Sequence, residues 1–564
     1  MSQTFADVAS PCRRALGRLL EIQRPGGDWE GEMVWCTMIL AQAVIVRSVV
    51  GLPYGEKVKP ALLKHFAVTQ RADGAWGMHP ESPGYVFFTA LAYVAVRLLG
   101  VAADEPMAAK ARHWLHAQPD GVKSIPTWGK FWLALLGLYE YAGLNSIPPE
   151  LFLLPESLPF HPKRYYCHTR LIYLGIAFLY GKRFVAVLPD GMRDALRGEL
   201  YAEPYAAIDF KACRHRVAKG DTLVPVTPVL RGIYDLLAVY ERVHSRSLRK
   251  KGQAFCLEKI IYEQRSTQYQ GISPVSGLLN CLALYAEDPN HPDLAPSLGA
   301  VEAWRWEDED EGLRYVGARS NTWDTAFAVQ ALLEAPGTDA AVLDACVRAN
   351  GFLDGAQMTE ELPGYRANWR DLALGGWCFS DGKHRWPVSD CTAEALSALL
   401  LLYENPNAQV AEPLSDERLR QAAEFILSRQ NADGGFGTYE RRRAGRLLEL
   451  VNPSEMYGQC MTELSYVECT ASALAALSHY RKHYADFANG RIDAACARAL
   501  ALLRRAQLAD GSYPGFWGIN YTYAIFHVAK ALRAAGVSAE DPALQSAARW
   551  LLSKQRSDGG WGEH

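Results

Sequence analysis

The sequence predicts an all-α fold built from repeated pairs of helices, and two features carry this prediction. The first is a short turn motif in which Gln is followed by Asp-Gly and then by an aromatic residue. Its copies lie at residues 70–76, 430–436, 507–513 and 555–561, with a looser copy at 23–29. The second is that each copy follows a stretch whose apolar residues have helical spacing. An example is AAEFILSRQ at 422–430. Asp-Gly is typical of the turn that ends such a helix.

The spacing of these copies indicates how the helices pack. A period of about 50 residues with two helices per unit is typical of stacked helical hairpins. Such hairpins can close into an α/α barrel with an inner and an outer ring of helices. They can also form an open α-solenoid that binds proteins, and the repeats alone leave both arrangements open.

The composition limits the classes of function. A chain of 564 residues, 49% of them hydrophobic, can fill the cores of about two or three domains. The 59 basic and 62 acidic residues leave a net charge of −3, so no excess of positive charge is available for nucleic acid. No apolar run reaches the roughly 18 residues of a spanning helix, so we expect any membrane contact to involve one leaflet.

The cysteines indicate a reducing compartment. The 12 cysteines are scattered and form no CxxC pair, which favours reduced thiols in a cytosolic setting over a disulfide framework or a metal site. No apolar signal segment follows Met1, in agreement with that expectation.

A candidate proton donor lies in VSDCTAEAL at 388–396, which follows the aromatic run GGWCFS at 375–380 and Trp386. Asp390 stands at the start of a predicted helix in these apolar surroundings. A carboxyl surrounded by hydrocarbon and rings loses the water that would solvate its anion, so its pKa rises and it can keep its proton near neutral pH. The segment therefore predicts a general acid.

Three neighbours of Asp390 bear on this hypothesis. Cys391 places a thiol beside the acid, and Glu394 follows one turn later on the same helix face, where it could return a proton after turnover. Ser389 can cap the helix. The alternative is that Ser389 and Asp390 merely cap a helix, and these residues alone do not exclude it.

The segment VSDCTAE resembles the signature of the 2,3-oxidosqualene cyclases, which are class II triterpene cyclases. Further segments resemble this family in the same order along the chain, at 125–140, 166–174, 323–334, 447–455, 465–473 and 515–523. Relatives that cyclise squalene itself carry a different pattern around the aspartate, so DCTAE favours an epoxide substrate. The resemblance implies an enzyme and argues against the open solenoid.

The resemblance also implies two α/α barrels with the substrate cavity between them. The first would be discontinuous and comprise residues 1–39 and 320–564, and the second would be inserted as residues 40–319. The repeated turns resemble the QW motifs of the family, in which the Gln amide stacks on the aromatic ring and bonds to helix ends. The chain ends soon after the copy at 555–561, so the first barrel is expected to lack the C-terminal repeats of family members.

Polyene cyclisation needs a strong acid, a dry cavity and π faces where cations develop. By resemblance, Cys469 matches the cysteine that hydrogen-bonds the catalytic aspartate together with Cys391. His168 matches the histidine near the end of the folded substrate, where it can steer the last cation and the final deprotonation.

Several aromatic residues match family positions whose rings line the cavity, namely Trp128, Trp323, Phe379, Tyr439 and Trp517. Each contact of a cation with such a ring is worth about 0.5–2 kcal/mol. The alternative for any one of these rings is ordinary core packing. Tyr173, Thr169 and Cys460 lie near the constriction of the family's substrate channel.

Five positions bear on the product. Met33 stands where sterol-forming members carry a Tyr that presses the substrate into a B-ring boat. Val388 resembles the choice of lanosterol-forming members, whereas His384 resembles the choice of cycloartenol-forming members. The bulky residue expected near Gly317 and Ala318 is missing. Both product types therefore stay open.

The acidic run EDEDEG at 307–312 could be mistaken for the aspartate-rich magnesium site of class I terpene synthases. It lacks helical apolar spacing and is flanked by Gly, so we interpret it as a solvated loop. No metal and no cofactor are predicted.

The segment at 221–240 has an apolar start that contains prolines, and basic clusters flank it at 211–216 and 242–251. Its apolar residues at helical spacing are Val229, Ile233, Leu236 and Leu237. In the family this region is a monotopic membrane plug at the mouth of the substrate channel, and the basic flanks suit anionic lipid head groups. The resemblance thus implies a location on the cytoplasmic side of a membrane, whereas an ordinary core helix is the alternative.

The leading functional hypothesis is the cyclisation of (3S)-2,3-oxidosqualene to a tetracyclic sterol precursor of the lanosterol or cycloartenol type. In this reaction Asp390 would protonate the epoxide and start a carbocation cascade. A second hypothesis is a class II cyclase for squalene or a shorter prenylated substrate, which Met33 favours. A third is a non-catalytic helical scaffold descended from such an enzyme.

Overall fold

The computed structural model describes residues 9–33, 36–336, 338–487, 490–518 and 520–562. The prediction of an all-α fold is confirmed, because helices make up most of the regular structure in these ranges.

The helices before residue 301 are α1 (Ala9–Ile22), α2 (Met38–Val49), α3 (Lys59–Thr69), α4 (Val86–Leu98), α5 (Pro106–Ala117), α6 (Thr127–Leu135), α7 (Cys167–Lys182), α8 (Met192–Leu200), α9 (Pro228–Val243), α10 (Arg246–Ser266), α11 (Pro274–Glu287) and α12 (Leu294–Ala300). The later helices are α13 (Asn321–Glu334), α14 (Ala340–Ala356), α15 (Ser389–Glu404), α16 (Asp416–Ser428), α17 (Val467–His483), α18 (Arg491–Ala506), α19 (Asn520–Ala534) and α20 (Pro542–Lys554). The strands are β1 (Arg305–Asp308), β2 (Gly312–Tyr315), β3 (Trp377–Cys378) and β4 (Pro387–Val388).

The acidic run at 307–312 forms the end of a β-hairpin rather than an irregular loop. β1 and β2 pair antiparallel around it, with Asp308 opposite Gly312. The Asp308 carboxylate accepts hydrogen bonds from the backbone N–H groups of the turn and forms an ion pair of 2.8 Å with Arg314. These acids therefore stabilise their own hairpin.

The chain folds into two compact units that each combine separated stretches. The first unit contains the described residues within Met1–Gly31, Arg319–Arg442 and Glu463–His564, and the second contains those within Glu32–Ala318 and Arg443–Thr462. This division assigns residues 32–39 and 443–462 to the second unit, whereas the sequence analysis assigned both to the first barrel.

Backbone hydrogen bonds explain where these two stretches belong. The N–H of Met33 donates to the carbonyl of Ala318 (3.0 Å), and the N–H of Tyr166 donates to the carbonyl of Met461 (2.9 Å). Such pairings join stretches that lie far apart in the sequence, so a division based on sequence position alone does not detect them.

The first unit has an inner and an outer layer of helices. The inner helices α13, α15, α17 and α19 pack against one another in that order, and α14, α16, α18 and α20 pack on their outer side. The outer helix α18 buries one face, which consists of Ile492, Ala495, Ala499 and Leu503. This one-sided burial is what the apolar spacing of a surface helix predicts.

The repeated Gln turn connects neighbouring outer helices. The Gln430 side-chain amide donates to the carbonyl of Gly434 in its own turn and to the carbonyl of Ala495 in α18, at 2.9 Å each. Gly434 has a φ of +95°, and a Cβ there would lie 2.7 Å from the carbonyl oxygen of Arg498, so the turn requires glycine. Gln357 makes the equivalent bonds at 2.9 and 3.1 Å, although a longer turn hides this copy in the sequence.

The second unit has a related organisation. The helices α4, α2, α11 and α7 pack side by side in that order, and α5, α12 and α10 pack against α4, α11 and α7, respectively. The hairpin arrangement predicted from the repeats therefore occurs in both units.

Candidate active site

The start of α15 positions Asp390. Val388 of β4 pairs with Trp377 of β3 directly before the helix. Ser389 does not cap the helix, which is a correction to the sequence analysis: α15 already begins at this residue. Its hydroxyl instead donates to the carbonyl of Gly437 (2.7 Å), and this bond fixes the helix start to a neighbouring turn.

The Asp390 carboxyl is nearly buried, with 8% of the residue exposed. Its Oδ1 accepts a hydrogen bond from the backbone N–H of Cys391 (2.8 Å), and its Oδ2 lies 3.4 Å from the Cys469 sulfur. Burial raises the pKa of Asp390 to about 6, although these two hydrogen bonds lower it in part. The carboxyl therefore keeps its proton at a pH where an exposed aspartate is ionised.

The two cysteines contact the acid in different ways. Cys469 lies 3.2 Å from the Thr438 hydroxyl as well, so the hydroxyl can donate to the sulfur while the thiol donates to Asp390. Cys391 donates to Asp390 through its backbone N–H. Sequence reasoning missed Thr438, which carries no motif of its own.

Glu394 lies in a different setting from the one predicted. Its Oε2 accepts hydrogen bonds from Lys530 (2.8 Å) and Gln330 (2.9 Å), and its Oε1 lies 3.7 Å from Nδ1 of His527. Burial by itself raises the pKa of Glu394, but the charge of Lys530 and the contribution of His527 outweigh burial, so the pKa falls below its usual value. An ionised Glu394 has no proton to return to Asp390, and the structure instead gives it the role of an ion-pair partner.

Trp323 and Phe379 lie side by side in the first unit, with ring centroids 6.0 Å apart. Trp323 also contacts Phe327 edge-on at 4.6 Å and His527 at 6.1 Å. Tyr523 lies 4.6 Å from His527, and burial followed by the charge of Asp390 raises the pKa of the Tyr523 phenol. The sequence analysis did not identify three of these residues, namely Phe327, Tyr523 and His527. Phe327 follows Trp323 by four residues, and His527 follows Tyr523 by four residues, and this spacing indicates a shared helix face.

The remaining predicted rings of the first unit lie in two separate contacts. Tyr439 meets Trp386 edge-on at 6.2 Å, and Trp517 packs against Tyr466 at 5.5 Å. All four rings are buried or half-buried.

The positions predicted to bear on the product differ in their surroundings. Val388 is 1% exposed and directly precedes α15. His384 is buried, its Nδ1 lies 2.9 Å from the Ser380 hydroxyl, and burial lowers its pKa to about 4, so the imidazole is neutral at physiological pH. Met33 belongs to the second unit and is 38% exposed.

Trp128, Tyr173 and Tyr457 form a cluster in the second unit. The indole N–H of Trp128 donates to the Tyr173 hydroxyl (2.8 Å), and its ring lies 5.4 Å from that of Tyr457. The Thr169 hydroxyl donates to the carbonyl of Cys460, whose thiol lies 3.3 Å from the Tyr457 carbonyl oxygen. The three residues predicted near the channel constriction therefore gather in one place.

His168 also belongs to the second unit, at the start of α7. Its ring stacks on Tyr166 with centroids 5.1 Å apart and an angle of 17° between the planes. Its Nδ1 lies 3.6 Å from the Cys167 sulfur. The predicted acid and the predicted terminating histidine are thus carried by different units.

The predicted membrane segment contains α9, which presents apolar side chains to solvent. We call these residues the apolar patch; they are Val229, Leu236, Val239 and Val243, with Leu447 of the adjoining turn, and each is more than half exposed. The hydroxyl of Thr227, just before α9, donates to the carbonyl of Leu450 and joins that turn to the helix. Among the described helices, none combines the length and apolarity needed to cross a membrane.

Comparison with known proteins places these features in a family. Residues 12–310 match the squalene-hopene cyclase N-terminal domain, and residues 319–564 match the squalene-hopene cyclase C-terminal domain. Lanosterol synthase of Mus musculus is 38% identical over 96% of this chain and 74% of its own length. Cycloartenol synthase of Dictyostelium discoideum is 36% identical over 94% of this chain and 75% of its own length. The chain therefore belongs to the squalene cyclase family of class II triterpene cyclases.

Proposed function

We propose that this protein cyclises 2,3-oxidosqualene to a tetracyclic sterol precursor. The observation that carries the proposal is the buried Asp390, because burial raises its pKa to about 6 and Cys469 lies within hydrogen-bonding distance of its Oδ2. The relatives named lanosterol synthase and cycloartenol synthase support the same reaction. These two relatives do not decide whether the product is of the lanosterol or the cycloartenol type.

The reaction begins when the proton of Asp390 passes to the epoxide oxygen. The C–O bond to the more substituted carbon breaks, its electron pair stays on oxygen, and the neighbouring C=C bond attacks the cation. Each attack closes a ring and moves the charge along the chain. A base then removes one proton from the product cation, so the reaction consumes no net proton.

Within this proposal, Trp323 and Phe379 stabilise cations that form midway, because their rings lie side by side in the unit that holds the acid. Cys469 orients the Asp390 proton. His168 of the second unit steers the final deprotonation. Tyr439 and Trp517 are the other rings of the first unit proposed to contact the substrate.

We propose that the apolar patch on α9 rests on one leaflet of a membrane. Burying such a patch in the acyl region is favourable, and a C30 epoxide that is nearly insoluble in water must enter from a bilayer. Lys250 and Lys251 of the following helix are exposed and suit anionic head groups. The free cysteines favour the cytoplasmic face, where thiols stay reduced.

The test is to incubate the detergent-solubilised protein separately with oxidosqualene, squalene and a shorter polyprenyl epoxide, followed by product analysis by mass spectrometry. A tetracyclic alcohol from oxidosqualene alone is expected. If only squalene or only the shorter epoxide gives cyclised products, that compound is the substrate and oxidosqualene is not. The absence of any cyclised product would favour the non-catalytic scaffold.

Trp323→Ala is expected to shift the products towards partly cyclised or prematurely deprotonated compounds, because the cation loses a π face midway through the cascade. The measurement is the ratio of tetracyclic to incomplete products at equal conversion. Trp323→Phe is the control, since it keeps an aromatic face and should restore most of the tetracyclic fraction. A lower yield with an unchanged product ratio would show that the ring only packs the core.

Leu236→Glu is expected to reduce binding to liposomes severalfold, because it puts a charge where the apolar patch would enter the acyl region. Sedimentation with liposomes that contain anionic lipid measures this loss. Leu552→Glu on α20 is the matched control, because Leu552 is 70% exposed and Leu236 is 72% exposed. Equal loss in both variants, or a wild-type protein that does not sediment, would refute the proposed contact.

A further inference from the structure

A cluster of metal-binding side chains lies at the C-terminal ends of α15 and α17. His479 and His483 are four residues apart on α17, so both imidazoles lie on one face of the helix. Glu404 is the last residue of α15, which packs against α17. The Oε1 of Glu404 lies 2.6 Å from Nε2 of His479 and also contacts Nε2 of His483.

The geometry of these three residues suits one shared ion. One donor atom from each residue lies within 4.8 Å of the other two, and the two imidazole centroids are 5.6 Å apart. All three residues lie in the last two turns of their helices. His479 is mostly covered, with 13% of its side chain exposed, whereas His483 and Glu404 are 37% exposed and leave an open side for water.

We propose that Glu404, His479 and His483 form a binding site for a first-row divalent transition metal ion, for which Zn²⁺ is the probe. Two imidazole nitrogens and one carboxylate oxygen, with a fourth position open to water, are a donor set that zinc accepts. Imidazole ligands favour zinc, copper or nickel over magnesium or calcium. Nearby Arg481 is ion-paired with Asp493, which reduces its repulsion of a cation.

The site acts on the structure rather than on the chemistry of the acid. Asp390 lies at the opposite end of α15, about 21 Å away along the helix axis. An ion held by Glu404 and the two histidines would fasten the C-terminal end of α15 to that of α17. The N-terminal parts of the same two helices carry Asp390 and Cys469, so the ion would stabilise the helix pair that presents the acid. This inference does not depend on the proposed substrate.

The prediction of no metal site rested on the absence of CxxC pairs and on the acidic run at 307–312, and neither signal involves these three residues. The two histidines are a weak signal on their own, and Glu404 lies 75 residues before His479. Only the packing of α15 on α17 brings the third ligand to them.

The experiment uses the purified full chain, freed of metal with a chelator and dialysed, and titrated with Zn²⁺ in a calorimeter. We expect saturable binding of one ion per chain and a higher midpoint of thermal unfolding with Zn²⁺ present. His483→Gln should lose both effects, and this half-exposed position is the one least able to disturb the fold. His479→Gln and Glu404→Gln should lose them too, with Co²⁺ absorption in the visible range as a second readout of coordination.

His113→Gln on α5 is the matched control, because His113 is an exposed helical histidine outside the cluster. It should bind Zn²⁺ as the wild type does. The proposal is overturned if the wild type shows no saturable binding, or if His483→Gln and His479→Gln bind one ion as tightly as the wild type. It is also overturned if His113→Gln loses binding to the same extent.

Discussion

The Asp390→Asn variant is expected to lose cyclisation of oxidosqualene completely while keeping its fold. The amide has the shape of the carboxyl and can still accept the hydrogen bond from the Cys391 N–H, but it has no acidic proton to give to the epoxide. Product formation over long incubations, measured by mass spectrometry, tests the loss of activity. Circular dichroism tests the fold.

The same variant makes a prediction about stability. Burial raises the pKa of Asp390 from 3.8 to about 6, so the folded state holds the proton more tightly than the unfolded state does. The wild type therefore loses stability as the pH rises through this range, whereas the amide does not titrate. Between pH 4 and pH 7, the free energy of unfolding of the wild type should fall by about 2 kcal/mol relative to that of the variant.

Asp324→Asn is the matched control for the loss of activity. Asp324 belongs to the same unit, burial also raises its pKa, and its carboxylate accepts a hydrogen bond from the Ser320 hydroxyl (2.6 Å). This variant should keep its activity. Substantial product from Asp390→Asn, or equal loss of activity in the two variants, would remove Asp390 from the role of the acid.

The acid site could be predicted only in part from the sequence. The apolar run around Asp390 indicates a desolvated carboxyl on local grounds. Its partner Cys469 lies 79 residues away, and only the resemblance to a family pointed to it. Thr438 carries no such signal, because a threonine in a turn is common and its position beside Cys469 depends on how β4, α15 and α17 pack.

The helices and their repeated turns could be predicted well because their signals are local. Apolar spacing and Asp-Gly turns depend on residues within one or two helical turns. The assignment of residues 443–462 to the second unit depends on backbone pairing such as that of Tyr166 with Met461, which no local pattern specifies. The charge of Glu394 is a similar case, because Lys530 lies 136 residues further on.

Lys530→Met is expected to lower the free energy of unfolding by about 3 kcal/mol, because it leaves the Glu394 carboxylate buried without its cation. Glu394 is 1% exposed and Lys530 is 26% exposed at their side chains, so the pair is well shielded from water. The loss should be largest near neutral pH and smaller in acid. In the variant, acid lets Glu394 take up a proton and removes the buried charge. In the wild type the pKa of Glu394 lies below its usual value, so the stability that the ion pair contributes disappears only as the pH falls through that lowered pKa. Urea unfolding at several pH values measures both effects.

The double variant Glu394→Gln/Lys530→Met separates the charge from the packing. Removing both charges together avoids an uncompensated carboxylate, so the double variant should recover most of the stability that Lys530→Met loses. Lys554→Met on α20 is the control for a lysine whose ammonium lies over an aromatic ring, here 5.7 Å from the centroid of Trp550, and it should change stability by less than about 0.5 kcal/mol. If the double variant is as unstable as Lys530→Met, the Lys530 ammonium stabilises the unit through the Phe327 ring, whose centroid lies 5.9 Å from it, and the ion pair with Glu394 does not.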